Sequence, residues 1–153
     1  MRKAREEDIK KIHEIYMAPE VNPFMNFDIV SVEKFAPILQ EFIHDLWIWE
    51  EEDIIGVLAL TRMKNRRSHV LFLSKFALSP NFAGQGFGKK IINQVISDAK
   101  SSGIKKVELM VEEDNQGAIE FYKKLGFVVE GKSAHSICRD GEMIDDYYMG
   151  MVL

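Results

Sequence analysis

Three glycines, Gly84, Gly86 and Gly88, fall within five positions of the stretch "ALSPNFAGQGFGKKIINQVI", residues 77–96. Glycine in an ordered element costs conformational entropy, so the cluster marks backbone that turns sharply or is approached closely by something else. An apolar, strand-like run precedes it. After it, "KKIINQVISDAK" places Ile91, Ile92, Val95, Ile96 and Ala99 on one helical face and stops near Ser102 and Gly103. "KKVELMV" at 105–111 follows, with Val107, Leu109 and Val111 alternating as in a strand. Strand, helix, strand is a crossover, and crossovers join parallel neighbours.

The other segments read differently. "EEDIKKIHEIYM" at 6–17 and "SVEKFAPILQEFI" at 31–43 have helical periodicity, the second opening on Ser31 as an N-cap and carrying Pro37 inside, where it is expected to kink or split the helix. Between them, "APEVNPFMNFDIV" has two prolines and two exposed-looking phenylalanines and reads as a binding loop. Runs at 46–51, 54–63 and 68–78 are rich in β-branched and aromatic residues and are separated by short polar turns, the pattern of an antiparallel meander. A short helix, "NQGAIEFYKKLGF", closes on Gly126, and strands at 127–138 and 142–152 are joined through Asp140-Gly141, a hairpin signal. The order implies an α/β (α+β) fold with one parallel crossover in a mostly antiparallel sheet, in a single domain spanning residues 1–153.

Composition narrows the function classes. A net charge of -4 argues against nucleic acid as the main partner. The basic runs Asn65-Arg66-Arg67 and Lys105-Lys106 read as solvated turns. Cys138 is the one cysteine, which excludes an intrachain disulfide and a cysteine zinc cluster, and no metal is expected. The opening "MRKAREEDIKK" has no apolar signal core, and no apolar run has the length of a membrane span. The expected setting is the cytoplasm, with no membrane partner.

Two phosphate-loop patterns fail at the glycines. G-x-G-x-x-G would need its third glycine at Lys89 or Ile91, and a Walker A loop would need glycine at Ala83 and Ser or Thr at Lys90. What remains is a run of backbone N–H groups just ahead of a helix, which binds anions through unpaired donors and the positive end of the helix dipole. Lys89 and Lys90 in the first turn oppose that dipole unless a phosphate group offsets them. Farther on, Asn115 stands at an N-cap position and Tyr122 lies seven residues later, near the same helix face and about 10 Å along the axis. On its own, that pair reads as a cap and a packed ring.

Taken together, "AGQGFG" ahead of one helix and "DNQGAIEFYKKLGF" on the next resemble the GCN5-related N-acetyltransferase superfamily, and the likeness covers nearly the whole chain. The family fold this implies is a mixed, mostly antiparallel sheet of six to seven strands flanked by about four helices. The resemblance implies acetyl-CoA as co-substrate, its pyrophosphate held at Ala83, Gly84, Gln85, Gly86, Phe87, Gly88 and Lys89, and its pantetheine arm pairing with Phe76, Ala77 and Leu78. The family's usual Arg or Gln at the head of the loop is Ala83 here, which leaves that contact to backbone groups or to Lys89 and Lys90. By the same resemblance Asn115 holds the pantetheine or a water, and Tyr122 is the general acid for the leaving thiolate.

The expected activity is acetyl-CoA-dependent N-acetyl transfer, made directly to a primary amine of a small molecule, amino acid, peptide or protein N-terminus. The alternative is a catalytically silent domain of the same fold that binds acetyl-CoA or a partner protein. Glu108 and Glu112, with Glu113 beside them, are the candidate bases, and a water chain could serve instead; His69 and His135 are further candidates. Phe24, Met25 and Phe27 are expected to line the acceptor site with Tyr147, in a pocket between the loop at 19–30 and the final hairpin, where Asp145 and Asp146 would suit a cationic amine. Terminal strands left exposed are compatible with a homodimer.

Overall fold

A computed structural model describes all 153 residues. The strands are β1 (Arg2–Lys3), β2 (Leu46–Glu50), β3 (Ile54–Arg62), β4 (Val70–Leu78), β5 (Lys106–Glu112), β6 (Val128–Arg139) and β7 (Glu142–Val152). The helices are α1 (Ile9–Tyr16), α2 (Val32–Gln40), α3 (Phe87–Ser101) and α4 (Gln116–Lys124). The strands form one seven-stranded sheet in the order β1-β2-β3-β4-β5-β7-β6. β4 and β5 pair in parallel, Val70 with Lys106 through Phe72 with Glu108. β1–β2, β2–β3, β5–β7 and β6–β7 are antiparallel. The expected order of elements, the mixed sheet and the crossover are all present. No helix is long and apolar enough to cross a membrane.

The chain packs as two compact units, Met1–Thr61 with Ser74–Gln94, and Arg62–Leu73 with Val95–Leu153. In the first, Ile12, Ile15 and Tyr16 of α1 and Phe35 and Leu39 of α2 are buried with Leu46, Ile48, Val57 and Ala77 of the strands. Their helical spacing puts one apolar stripe of each helix inward. Gly56 of β3 sits against α3: a Cβ there would lie 2.9 Å from Ile91 Cδ1 and 3.0 Å from Leu78 Cδ2. Pro37 does not split α2, which runs unbroken from Val32 to Gln40. Its ring removes the bond to the Glu33 carbonyl, and Glu33 is exposed, so water can serve that group instead.

Phe27 corrects the sequence reading of the 18–30 loop. It is half-buried, stacked at 6.0 Å on Phe42 and edge-on at 5.3 Å to Phe35. Phe24 ends a turn of 3-10 helix, Asn22–Phe24, and is also half-buried. An aromatic side chain in a Pro- and Asn-rich loop finds cover by folding back on its neighbouring helices.

In the second unit, Val107, Leu109 and Val111 of β5 are buried with Ile119 and Tyr122 of α4, Phe127, and Ile144 and Met149 of β7. The β6–β7 hairpin turns at Asp140 and Gly141, both left-handed (φ 51° and 84°), as a tight Asp-Gly turn requires.

The start of the chain is pinned by a buried carboxylate. Asp8 accepts Arg2 Nη1 at 2.7 Å and Nη2 at 2.8 Å, and the Arg5 backbone N–H at 2.7 Å. The Arg2 hydrogen bonds hold its carboxyl below the usual aspartate range, against the opposing effect of burial. A carboxyl more acidic folded than unfolded contributes its full stabilisation above the unfolded pKa of about 3.9 and loses it as pH falls through the folded value. Asp8→Asn is therefore expected to cost about 1.5–3 kcal/mol at pH 7. Urea unfolding at a series of pH values should show the gap to wild type closing below about pH 4.

Candidate active site

The glycine turn lies in the first unit and is built by local bonds. β4 ends as the Ser79 N–H bonds the Ile55 carbonyl at 2.9 Å, and a 3-10 turn, Pro80–Phe82, follows. Gln85 Nε2 reaches back to the Asn81 carbonyl at 2.8 Å, and Phe87 packs edge-on against Phe82 at 5.7 Å. Gly84 and Gly86 are left-handed, at φ 74° and 85°, with nothing within 4 Å of where a Cβ would be. A side chain at either position would be strained by the backbone and not by crowding. The space over that backbone is open.

α3 begins immediately after, and its first N–H groups have no partner within the helix. Ala83 and Lys89 are exposed and Gly88 is buried on the inner side of the first turn. Lys90 is otherwise committed: its ammonium pairs with Glu51 at 2.9 Å and lies 5.2 Å from the Trp49 ring centroid.

The β4 residues ahead of this turn show a local irregularity. Lys75 is left-handed (φ 53°) within the strand, and its carbonyl accepts the buried Tyr16 hydroxyl at 2.9 Å. Phe76 and Leu78 are half-buried and Ala77 is buried. The β4–β5 ladder has ended at Phe72 with Glu108, although β4 runs on to Leu78.

In the second unit, one capped helix fixes both residues of the Asn/Tyr pair. Asn115 Oδ1 accepts the Ala118 N–H at 3.1 Å, so Asn115 is the N-cap of α4. At the other end, the Phe127 N–H bonds the Tyr122 carbonyl at 3.1 Å and the Gly126 N–H bonds the Lys123 carbonyl at 2.9 Å, with Gly126 left-handed at φ 99°. This is a Schellman closure, and its accompanying apolar contact is the Phe127 ring, 5.4 Å from that of Tyr122. Tyr122 is 6% exposed, and burial raises its hydroxyl above the ordinary tyrosine range.

The three candidate glutamates are all ion-paired. Glu112 is buried and held by Arg139, which also reaches Asp114 at 2.7 Å. Glu108 pairs with Arg67 and with Lys106 at 3.0 Å. Glu113 pairs with Lys132 at 2.8 Å. Glu108 also lines a cleft of about 350 Å³ with Met63, Phe72, Leu109, Tyr148 and Met149. Arg67 and Lys106, read from sequence as parts of solvated turns, are partners of that carboxylate. Of the expected acceptor residues, Phe24, Met25 and Phe27 fall in the first unit, and Tyr147 lies on β7 under the Lys132 ammonium at 5.7 Å. Asp145 is also bound by Lys132, at 2.6 Å. No sequence motif marks Lys75 or Arg139, and Tyr16 reads there only as part of the apolar face of the first helix. A lone lysine interrupting the apolar run "VLFLSKFAL" is the signal that could have marked the first.

Residues 7–127 match the acetyltransferase (GNAT) family. The chain belongs to that family. It is 29% identical to the L-amino acid N-acetyltransferase AaaT of Escherichia coli, across 99% of this chain and 96% of that one. It is 44% identical over 61 residues to an uncharacterised N-acetyltransferase of Methanocaldococcus jannaschii, a match that spans 40% of this chain but 27% of the relative. Its fold matches yncA of Salmonella typhimurium, a putative acetyltransferase solved with its cofactor acetyl-CoA, with a TM-score of 0.75, 21% identity, and coverage of 99% and 92% of the two chains.

The cap at Asn115 separates two roles of one side chain. Asn115→Asp keeps the oxygen that caps α4 and loses the amide donor, whereas Asn115→Ala loses both. Thermal unfolding should show a cost of about 1 kcal/mol for Asn115→Ala and little for Asn115→Asp. If the amide N–H₂ group also binds a ligand, both variants will weaken acetyl-CoA binding in calorimetry.

Proposed function

We propose that the chain moves the acetyl group of acetyl-CoA directly to a primary amine while both are bound. The observation that carries this reading is the turn at Gly84–Gly86, where left-handed glycines open the backbone directly ahead of a fifteen-residue helix in a chain of the GNAT family. Its N–H groups from Gly84 to Lys89, framed by Ala83, Gln85, Phe87 and Gly88, receive the pyrophosphate. Phe76, Ala77 and Leu78 pair their backbone with the pantetheine arm, and Asn115 binds that arm through its free amide donors. The acetyl-CoA in the yncA structure supports the same co-substrate here.

The amine nitrogen attacks the thioester carbon, the C–N bond forms, and the C–S bond breaks with its electron pair going to sulfur. Tyr122 gives its phenolic proton to that sulfur. A phenol of ordinary pKa about 10 already carries its proton at neutral pH; burial raises Tyr122 further and makes it a weaker acid, so the transfer needs the negative charge that develops on sulfur as the C–S bond breaks. The amine must shed a proton, because a lysine-like amine has a pKa of about 10.4 in water. Glu108 takes that proton by way of water: its side chain is 21% exposed and lines a cleft, whereas Glu112, at 6%, is enclosed with Arg139. Glu112 acts by holding Arg139 at the end of β5. The acceptor lies against Phe24, Met25 and Phe27.

CoA thiol release with a panel of amino acids, polyamines, aminoglycosides and short peptides tests the reaction. Release above the hydrolysis background with one class is expected, and none in a protein that binds acetyl-CoA would point to a silent binding domain. With an accepted amine, Tyr122→Phe should lower kcat at least about a hundredfold with little change in acetyl-CoA affinity. Equal turnover would remove Tyr122 from the mechanism.

A further inference from the structure

Lys75 is a lysine in an unusual place. Its ammonium lies 5.0 Å from the ring centroid of Phe42 and 5.5 Å from that of Phe27, two rings stacked nearly parallel at an interplanar angle of 7°. Behind Phe27 stand Phe35 and Tyr16, at 5.3 and 6.0 Å. The backbone that carries Lys75 is held in a left-handed conformation, with its carbonyl fixed by the Tyr16 hydroxyl. Nothing in this arrangement is an anion. Lys11 meets Asp53 and Glu14, Lys106 meets Glu108 and Glu130, and Lys132 meets Glu113 and Asp145. No Asp or Glu pairs with Lys75, and burial alone pulls its ammonium below the ordinary lysine range.

A half-buried cation without a counter-ion is unfavourable unless something supplies the charge. The two ring faces offset only part of that cost. Phe27, whose ring lies 5.5 Å from the ammonium, is one of the residues placed against the acceptor, so the head group of Lys75 stands at that end of the site. From the ammonium and the two phenylalanines beside it, we infer that Lys75 binds the carboxylate of the acceptor, and that the acceptor is an amino acid with an apolar or aromatic side chain seated over Phe27 and Phe42. This rests on the acetyltransferase reading and narrows it. It also reverses the expectation of a cationic acceptor: a polyamine would bring a second positive charge towards Lys75, and Asp145, one of the acids expected to welcome it, is already paired with Lys132.

The test compares acceptors that share an amine and a side chain and differ in the carboxylate: L-phenylalanine against 2-phenylethylamine, and L-methionine against 3-(methylthio)propylamine. Wild type is expected to favour the carboxylate-bearing member in kcat/KM by about tenfold to a hundredfold, the range of one charge-assisted contact. In Lys75→Met that ratio should fall towards one through a rise in acceptor KM, and Lys75→Arg should retain it. Equal kcat/KM for both members in wild type overturns the inference without any variant. A ratio untouched by Lys75→Met, or a loss seen in acetyl-CoA KM and not in acceptor KM, also overturns it, as does an acetyl group mapped onto Lys75 itself. Absence of turnover with every acceptor overturns the acetyltransferase reading, and the inference with it.

Discussion

β4 and β5 lie side by side in parallel, and a parallel pair cannot be closed by a hairpin. The chain must leave the end of β4, cross, and return to the start of β5, which it does through α3. That single requirement puts a helix N-terminus, with its unpaired N–H groups and the positive end of its dipole, directly after a strand. The turn between them must then be tight and open. Gly84 and Gly86 meet both needs, since each takes a left-handed conformation and neither adds a side chain over the backbone. Gly56 lets Ile91 of α3 approach β3 closely.

Charge placement separates two kinds of polar group. Carboxylates in both units are mostly tied to arginine or lysine: Asp8 to Arg2, Glu51 to Lys90, Glu112 to Arg139, Glu113 and Asp145 to Lys132. Exposed pairs of this kind contribute little to stability, and their main effect is to fix side chains in place. Lys75 differs, because its charge is partly buried among aromatic rings and has no acidic partner. Lys3 is also drawn down by burial and stands over the Trp47 ring, but its ammonium is held by the His44 carbonyl at 2.7 Å, whereas Lys75 is left to its two rings.

The legible part of the sequence was the part governed by short range. Apolar period located α1, α3 and the alternating strands to within a few residues, and Asp140-Gly141 and Gly126 marked turns whose left-handed angles the structure contains. The Asn115 cap and the Tyr122 ring were readable for the same reason, since a cap, two helical turns and a Schellman closure are set by one segment. Pairings across the chain were not readable. Glu112 looked like a free carboxylate until β6 brought Arg139 to it from 27 positions away. Phe27 looked exposed until α2 and the residues after it supplied Phe35 and Phe42. Lys75 is not legible in the sequence, because its neighbours there are apolar strand residues and the rings beside it come from a loop and a helix end more than thirty positions earlier.

On the proposed reading, the open backbone ahead of α3 holds the pyrophosphate of acetyl-CoA. Calorimetric binding of acetyl-CoA and of acetyl-pantetheine, which lacks the pyrophosphate and nucleotide, tests it most directly, with Gly86→Ala as the companion variant. Recognition at the turn predicts that acetyl-CoA binds at least about tenfold more tightly than the truncated thioester, through charge-assisted bonds to backbone N–H groups. It also predicts that Gly86→Ala, strained at a left-handed position, removes most of that difference. Equal affinities for the two thioesters, or a difference that survives in Gly86→Ala, would contradict it.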